Sequence, residues 1–303
     1  MLPWSQPGWL EDVTAWIDAA VERTGPIEEL HRRAWSAMLR VPTAEGSVYF
    51  KASAPAHAHE AGLTEALARW CPECTVVLLA VDTGRSWMLM RDAGEMLRSV
   101  LEREPTFERI ELLFARYAEL QLELAPHRDE LLALGVPDRR LAHVVELAAE
   151  LPVDSGLVRD LVTTVESYGL PETLVHEEVH PGNVLVRNGE NVFVDWADSS
   201  VGHPYFGIVI ALRSIADLFE LEPGAPELER LVDAYLEPWT AIAPRNALRA
   251  LLPTAYRLGM LNRALSWQET VRGLEGPLHD QFAPSVSGWL EEFEQAEIPE
   301  PGT

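Results

Sequence analysis

Leu174-Val-His-Glu-Glu-Val-His-Pro-Gly-Asn-Val-Leu-Val186, followed nine residues on by Asp195 in Val192-Phe-Val-Asp-Trp196, decides how the chain is read. The stretch is a short apolar run, a polar loop, and two β-branched runs around Arg187-Asn-Gly-Glu-Asn191. Val184-Leu-Val186 and Val192-Phe-Val194 read as paired strands, with Asn188-Gly189 as the turn between them. Such a hairpin hangs His176, Glu178 and Asn183 on the loop before one strand and Asp195 at the end of the next. Two carboxylates and an amide oxygen gathered in this way suit Mg²⁺, with phosphate oxygens completing its shell.

His176-Glu177-Glu178-Val179-His180 also spells H-E-x-x-H, the signature of a zinc hydrolase. That chemistry places both histidines one turn apart on a continuing helix and adds a third ligand downstream. Pro181 follows the second histidine and disfavours helical backbone at His180. Strand-like sequence comes next, so the helix this reading requires is not in the sequence.

His-Glu-Glu-Val-His-Pro-Gly-Asn-Val, from His176 to Val184, resembles the catalytic loop of the aminoglycoside phosphotransferase family, whose members share the protein-kinase-like fold. The family pattern runs His-x-Asp, four residues, Asn, and then Ile/Val-Asp-Trp with a metal-binding aspartate. Asn183 and Asp195 stand at those two positions, and Gly202-His-Pro204 is similar to a Gly-Asp-Pro found in many relatives, with His203 in place of the acid. Glu178 stands where the family has its catalytic aspartate, so the carboxylate is kept but is one methylene longer. The resemblance implies an α+β, two-lobed fold: a small N-terminal lobe with an antiparallel sheet over 1–93, and a mainly helical catalytic and substrate-binding lobe over 94–303. It also implies ATP or GTP, with Mg²⁺, as cofactors.

Composition sets wider bounds. A chain of 303 residues, 47% of them apolar, can bury a sizeable core. No stretch approaches the ~20 apolar residues of a membrane span. Met1-Leu-Pro-Trp-Ser-Gln6 lacks the regions of a signal peptide, and the reading is of a cytoplasmic protein with no membrane partner. A formal charge of −24 argues against a nucleic-acid partner. It is compatible with a cationic small substrate and equally with a solubilising surface. Cys71 and Cys74 form Cys-Pro-Glu-Cys; the two further soft ligands of a zinc site are missing, as is a thioredoxin-like context. They read as ordinary thiols at a helix end.

Of the 24 basic side chains only Lys51 is lysine. It closes the apolar run Ser47-Val-Tyr-Phe-Lys51, a poor place for an idle charge. A flexible ammonium suits a phosphate contact in a way that arginine does not reproduce. Around it, Trp9, Val13, Trp16-Ile17 and Ala20-Val21 recur at helical spacing, with the tryptophans reading as packing. Ile27–His31 and Trp35–Val41 read as strands, and Ala44-Glu-Gly46 turns the second into the Lys51 strand. Glu60–Trp70 reads as a helix, and Val76–Val81 and Ser86–Met90 as strands before the break at Arg91-Asp-Ala-Gly94. The remainder is largely helical from Thr106 on, with Asn246–Trp267 interrupted at Pro253 and a frayed tail over Ile298–Thr303.

The resemblance adds roles to this frame. The connection Arg32-Arg-Ala-Trp-Ser36, which has no glycine, would lie over the phosphates; Arg32 and Arg33 are either phosphate contacts or solvated charges. Lys51 would pair with a helix glutamate, Glu60 or alternatively Glu65. Met88 to Asp92, with Met90 and Arg91, would be the hinge that meets the purine. Asn183 and Asp195 would bind the metal, Glu178 would meet the substrate hydroxyl, and Asp198 would contact metal or substrate, or else cap a helix. His176 and His180 would fix the loop by hydrogen bonds.

Three function classes follow. The first is a kinase that moves the γ-phosphate to a hydroxyl of a small molecule, an antibiotic, as in antibiotic resistance, or a metabolite. The second is a nucleotide-binding protein with little or no transfer activity, favoured by Glu178 and the glycine-free loop. The third is the zinc hydrolase. Substrate identity and oligomeric state are not written in the sequence.

Overall fold

A computed structural model describes residues 2–296. Its chain divides into two compact units. One comprises the residues up to Glu95 together with Leu185–Ala197 and Glu269–Phe282; the other comprises Met96–Val184, Asp198–Gln268 and the residues from Ala283 on.

The first unit is built on five antiparallel strands: β1 (Glu28–Arg32), β2 (Ser36–Thr43), β3 (Gly46–Ser53), β4 (Leu78–Asp82) and β5 (Trp87–Arg91). Their spatial order is β1-β2-β3-β5-β4. Side chains alternate between faces along β3, and this decides the unit's plan. Val48, Phe50 and Ala52 join Leu39, Val41, Trp87 and Leu89 in a core covered by helix α1 (Trp9–Ala20) through Trp9, Val13 and Ile17. Trp16 meets the rings of Phe50 and Trp87 edge-on, so these tryptophans pack. Lys51, one residue on from Phe50, therefore points to the other face. There Met88 and Met90 are buried with Ala61 of helix α2 (Glu60–Trp70) and with Val192.

Val192 belongs to the hairpin expected from the sequence, Val184–Arg187 with Glu190–Phe193. Its turn residues Asn188 (φ 54°) and Gly189 (φ 91°) are both left-handed, as a tight hairpin turn requires. Gly94 is a further obligate glycine: a Cβ there would lie 2.1 Å from the carbonyl oxygen of Val186. α2 and the hairpin thus share the Lys51 face of the sheet.

The second unit packs the helix Phe107–Leu124 against Pro226–Trp239, burying Ile110, Leu113, Phe114 and Tyr117 from one and Leu231, Tyr235, Leu236 and Trp239 from the other. A small sheet sits beside them, with Ser200–Gly202 between Asp138–Arg139 (parallel) and Thr173–Val175 (antiparallel). Buried polar groups join these elements: Thr173 Oγ1 ties the sheet to the first helix by donating to the Gln121 carbonyl at 2.5 Å, and Tyr235 Oη ties the two helices by donating to Gln121 Oε1 at 2.7 Å.

Two expectations are corrected here. Pro253 does not interrupt its helix, which runs from Arg245 to Arg272. The proline sits on the exposed side of a helix anchored on both sides of it by the buried Leu248, Leu251, Leu258 and Leu261. The last helix runs over Pro277–Gln295, beyond the Val286–Phe293 segment that reads as helical in the sequence. The tail at Ile298–Thr303 lies outside the described residues.

Candidate active site

In the first unit the site is centred on Lys51, which lies opposite Met38 and Met88 in the sheet register. Its Nζ donates to Glu60 Oε1 and to Asp195 Oδ1, each at 2.5 Å. Lys51 is 6% exposed and Glu60 1%. Such a pair is stable out of water only where each charge is matched. Ser53, two positions along the same strand face, donates its hydroxyl to Glu60 Oε2 at 2.5 Å and so occupies the second carboxylate oxygen. Burial opposes the charge on Lys51, but Asp195 and then Glu60 outweigh it and hold the ammonium above the ordinary lysine range.

Local structure explains each placement. Glu60 opens α2, where a carboxylate faces the positive helix end. Asp195 follows the hairpin strand with φ 66°, a left-handed residue directly after the extended run. That reversal brings the carboxylate against Lys51 across 144 positions of sequence. Glu65, the alternative partner, lies on the surface 3.6 Å from Arg69.

The other residues expected near a nucleotide are placed as follows. Ser36 is buried at the start of β2, opposite Ser53, and its carbonyl accepts from Arg33 N at 2.8 Å. Arg32 donates to the Trp4 carbonyl at 2.9 Å and lies 5.2 Å over the Trp9 ring, a packing role. Met90 is buried in the core beneath α2, while Arg91 extends to Glu45 at 2.9 Å.

In the second unit the loop after Thr173–Val175 is compact and not helical, which removes the geometry of the zinc-hydrolase reading. His176 is fully buried, its backbone N donating to Tyr117 Oη at 3.1 Å. His180 turns the chain: its carbonyl accepts from Asn183 N at 2.8 Å and its Nδ1 from Gly182 N at 3.0 Å. Asn183 donates its Nδ2 to the Glu178 carbonyl at 3.2 Å.

Glu178 has a partner that the sequence did not announce. Arg263, 3% exposed on the long helix, donates Nη2 to Glu178 Oε1 at 2.7 Å. Its Nη1 lies 3.6 Å from Glu177 Oε2. Burial disfavours the guanidinium charge, and Glu178, Asp198 and Glu177 together more than restore it. Glu177 is 1% exposed with φ 64°. Burial pushes its carboxyl up, and Arg263 is the largest pull the other way. Asp198 lies in a short 3-10 turn, and its charge is felt at Arg263. His203, in the acid's place, is fully buried, and burial pushes its imidazole down to about 3. The signal for Arg263 was an arginine on the apolar face marked by Leu258, Leu261, Ala264 and Leu265, all buried. Ser53 and Glu177 carried no comparable signal.

Comparison with known proteins agrees with this architecture. No curated protein matches the sequence. Among solved structures, the Plasmodium vivax ethanolamine kinase superposes with a TM-score of 0.61 at 14% identity, over 93% of this chain and 87% of that one. The choline kinase LicA from Streptococcus pneumoniae gives 0.57 at 13% identity, over 93% and 99%. The GDP and kanamycin complex of APH(2")-IIia gives 0.56 at 15% identity, over 95% and 99%. At these identities the likeness establishes a kinase-like α+β fold. The sequence model of the phosphotransferase enzyme family matches residues 82–246, more than half of the chain and including the whole loop and its Asp-Trp. The chain belongs to the phosphotransferase enzyme family.

Proposed function

We propose that the chain transfers the γ-phosphate of ATP or GTP to a hydroxyl of a small, positively charged molecule. The observation that carries this reading is the buried Lys51, held by Glu60 and Asp195 at 2.5 Å each. A lone ammonium, kept where every other basic residue is arginine, is the group for gripping phosphate oxygens. Its carboxylate partners hold it charged and aimed. The cationic acceptor is supported by the charge of −24 and by the relatives of the same fold, named as ethanolamine and choline kinases or solved with kanamycin.

Asp195 and Asn183 would hold Mg²⁺. Each donor by its chemistry suits a hard cation: Asp195 keeps its side chain 37% exposed, and Asn183, having committed Nδ2 to the Glu178 carbonyl, has Oδ1 for an ion. When bound, the ion supplies charge neutralisation on the phosphate oxygens. Glu178 accepts a hydrogen bond from the acceptor hydroxyl and orients it for attack on phosphorus, with Asp198 available to the cationic part of the substrate. Positioning of this kind supplies most of the rate in phosphoryl transfer. The cytoplasm, where the nucleotide is abundant, is the expected compartment; among the described residues no helix is long and apolar enough to cross a membrane.

A second reading has one observation in its favour. Arg263 donates Nη2 to Glu178 Oε1 at 2.7 Å and so occupies an oxygen that would meet the substrate hydroxyl, which suits a nucleotide-binding protein with little transfer activity. The test is Mg²⁺-dependent transfer from ATP and from GTP across a panel of amino alcohols, aminoglycosides and macrolides, wild type beside Glu178→Ala. Product from one class, with a loss of at least ~100-fold in the variant, supports the kinase. Tight nucleotide binding with no transfer, and residual hydrolysis unaffected by Glu178→Ala, would favour the second reading.

A further inference from the structure

The turn Cys71-Pro-Glu-Cys74 lies in the first unit and is not used by the phosphoryl-transfer reading. Cys71 ends α2, both thiols are buried, and neither is in a disulfide. Glu73 between them is exposed. Cys71 Sγ lies 3.2 Å from Glu73 Oε1, and the three ligand atoms, Cys71 Sγ, a Glu73 carboxylate oxygen and Cys74 Sγ, lie within 4.8 Å of one another. It is the one such cluster of three His, Cys, Asp or Glu among the described residues.

We propose that this turn is a binding site for a thiophilic divalent d¹⁰ cation, Zn²⁺ above all, with Cys71, Glu73 and Cys74 as three ligands and a solvent molecule as the fourth. Tetrahedral zinc, with bonds of about 2.3 Å to sulfur and about 2.0 Å to oxygen, sets its ligands about 3.8 Å (S to S) and about 3.5 Å (S to O) apart. The 3.2 Å from Cys71 Sγ to Glu73 Oε1 is close to the sulfur–oxygen separation, and the 4.8 Å limit on all three atoms leaves adjustments of about an ångström. Spacing alone argued against zinc because it counted cysteine and histidine; the third ligand is a carboxylate that the turn folds back onto the thiols.

Charge balance supports the assignment. Two thiolates and a carboxylate around a dication leave one negative charge. Arg187 Nη2 supplies the compensating positive charge: it reaches the carbonyls of Pro72 (3.3 Å), Glu73 (3.5 Å) and Thr75 (3.3 Å) in the same turn. Binding is balanced as the exchange of two thiol protons, released to solvent, for one metal ion. Solvent reaches the ion past exposed Glu73. The site is also a strut, because the Cys74 carbonyl accepts from Phe193 N at 2.8 Å, two residues before Asp195. A bound ion fastens the turn on which that strand leans.

The test is a Co²⁺ titration of the full, metal-stripped, phosphine-reduced chain without nucleotide, followed by optical spectroscopy and proton release. The expected result is one equivalent bound, with a thiolate-to-cobalt charge-transfer band, tetrahedral visible bands, about two protons released per ion, and displacement by Zn²⁺. Glu73→Gln, a surface change that leaves the core intact, should retain the charge-transfer band and bind at least about tenfold more weakly. The double variant Cys71→Ser/Cys74→Ser should lose the band. A wild-type chain without the band, a band that survives in the double variant, or a Glu73→Gln chain of wild-type affinity overturns the assignment. None of these readouts depends on kinase activity, so failure here and failure of the phosphotransfer reading are separate results.

Discussion

Arg263 and Glu178 form an ion pair at 2.7 Å in which the guanidinium is 3% exposed and the carboxylate 29%. The cation is walled in while the acid still meets solvent. A glutamate has one more rotatable bond than an aspartate, and this pair takes up the freedom that the extra methylene introduces.

Replacing Arg263 by Met in a Glu177→Gln background, chosen so that no second buried carboxylate is left unmatched, should lower kcat at least ~10-fold with little change in the KM for nucleotide. The acidic limb of the pH–rate profile should move to higher pH, because a carboxylate without its cation holds a proton more tightly. Arg263→Lys should restore part of the rate. A purely structural Arg263 would lower the melting temperature and leave the acidic limb in place.

Lys51→Met should remove nucleotide binding, read by calorimetry. It also leaves Glu60, 1% exposed, as an unmatched buried charge. The cost should be about 3–5 kcal/mol in denaturant unfolding. Combining it with Glu60→Gln should recover a large part of that stability and none of the binding. Recovery of binding in the double variant would show that the ammonium is not the phosphate contact.

Glu177→Gly should stabilise the fold at neutral pH. The residue holds φ 64°, which costs a non-glycine residue roughly 1–2 kcal/mol, and its carboxyl is raised by burial. A raised acid binds more protons folded than unfolded, so it lowers stability as pH rises through that interval. The gain from the substitution should therefore shrink on acidification. An equal gain at all pH values would assign the whole effect to the backbone.

His203 carries the opposite sign. Its imidazole falls from 6.5 to about 3 on folding, by burial. Between those values the unfolded chain binds a proton that the folded chain refuses, so this contribution, complete above pH 6.5, is lost as pH falls towards about 3. His203→Gln should flatten the dependence of unfolding free energy on pH across that window. An unchanged slope would mean that other groups govern the acid limit.

The sheet was legible because Phe50 and Lys51 alternate in a run with clear turn signals, and α2 was legible to its ends. The Asn188-Gly189 hairpin was also written locally. Longer-range pairing was less so. Glu60 was the better match for the lysine's partner and Glu65 the alternative, and it is packing that decides which turn of α2 faces β3. The Arg263 pair joins positions 85 apart, and no local rule connects them. Pro253 misled because the lost hydrogen bond and ring clash of an interior proline are a local cost, which the burial of Leu248, Leu251, Leu258 and Leu261 along the same helix outweighs.

Because Lys51 is the chain's single lysine and lies beneath α2 and the hairpin, the folded protein shows almost no side-chain amine to its surroundings. Acylation or isopeptide tagging of a side chain must therefore wait for the sheet to open. The rate at which an amine-directed reagent marks Lys51, read as the mass increment on the peptide that carries it, is a clock for that opening, and any ligand that closes over the ammonium should slow it.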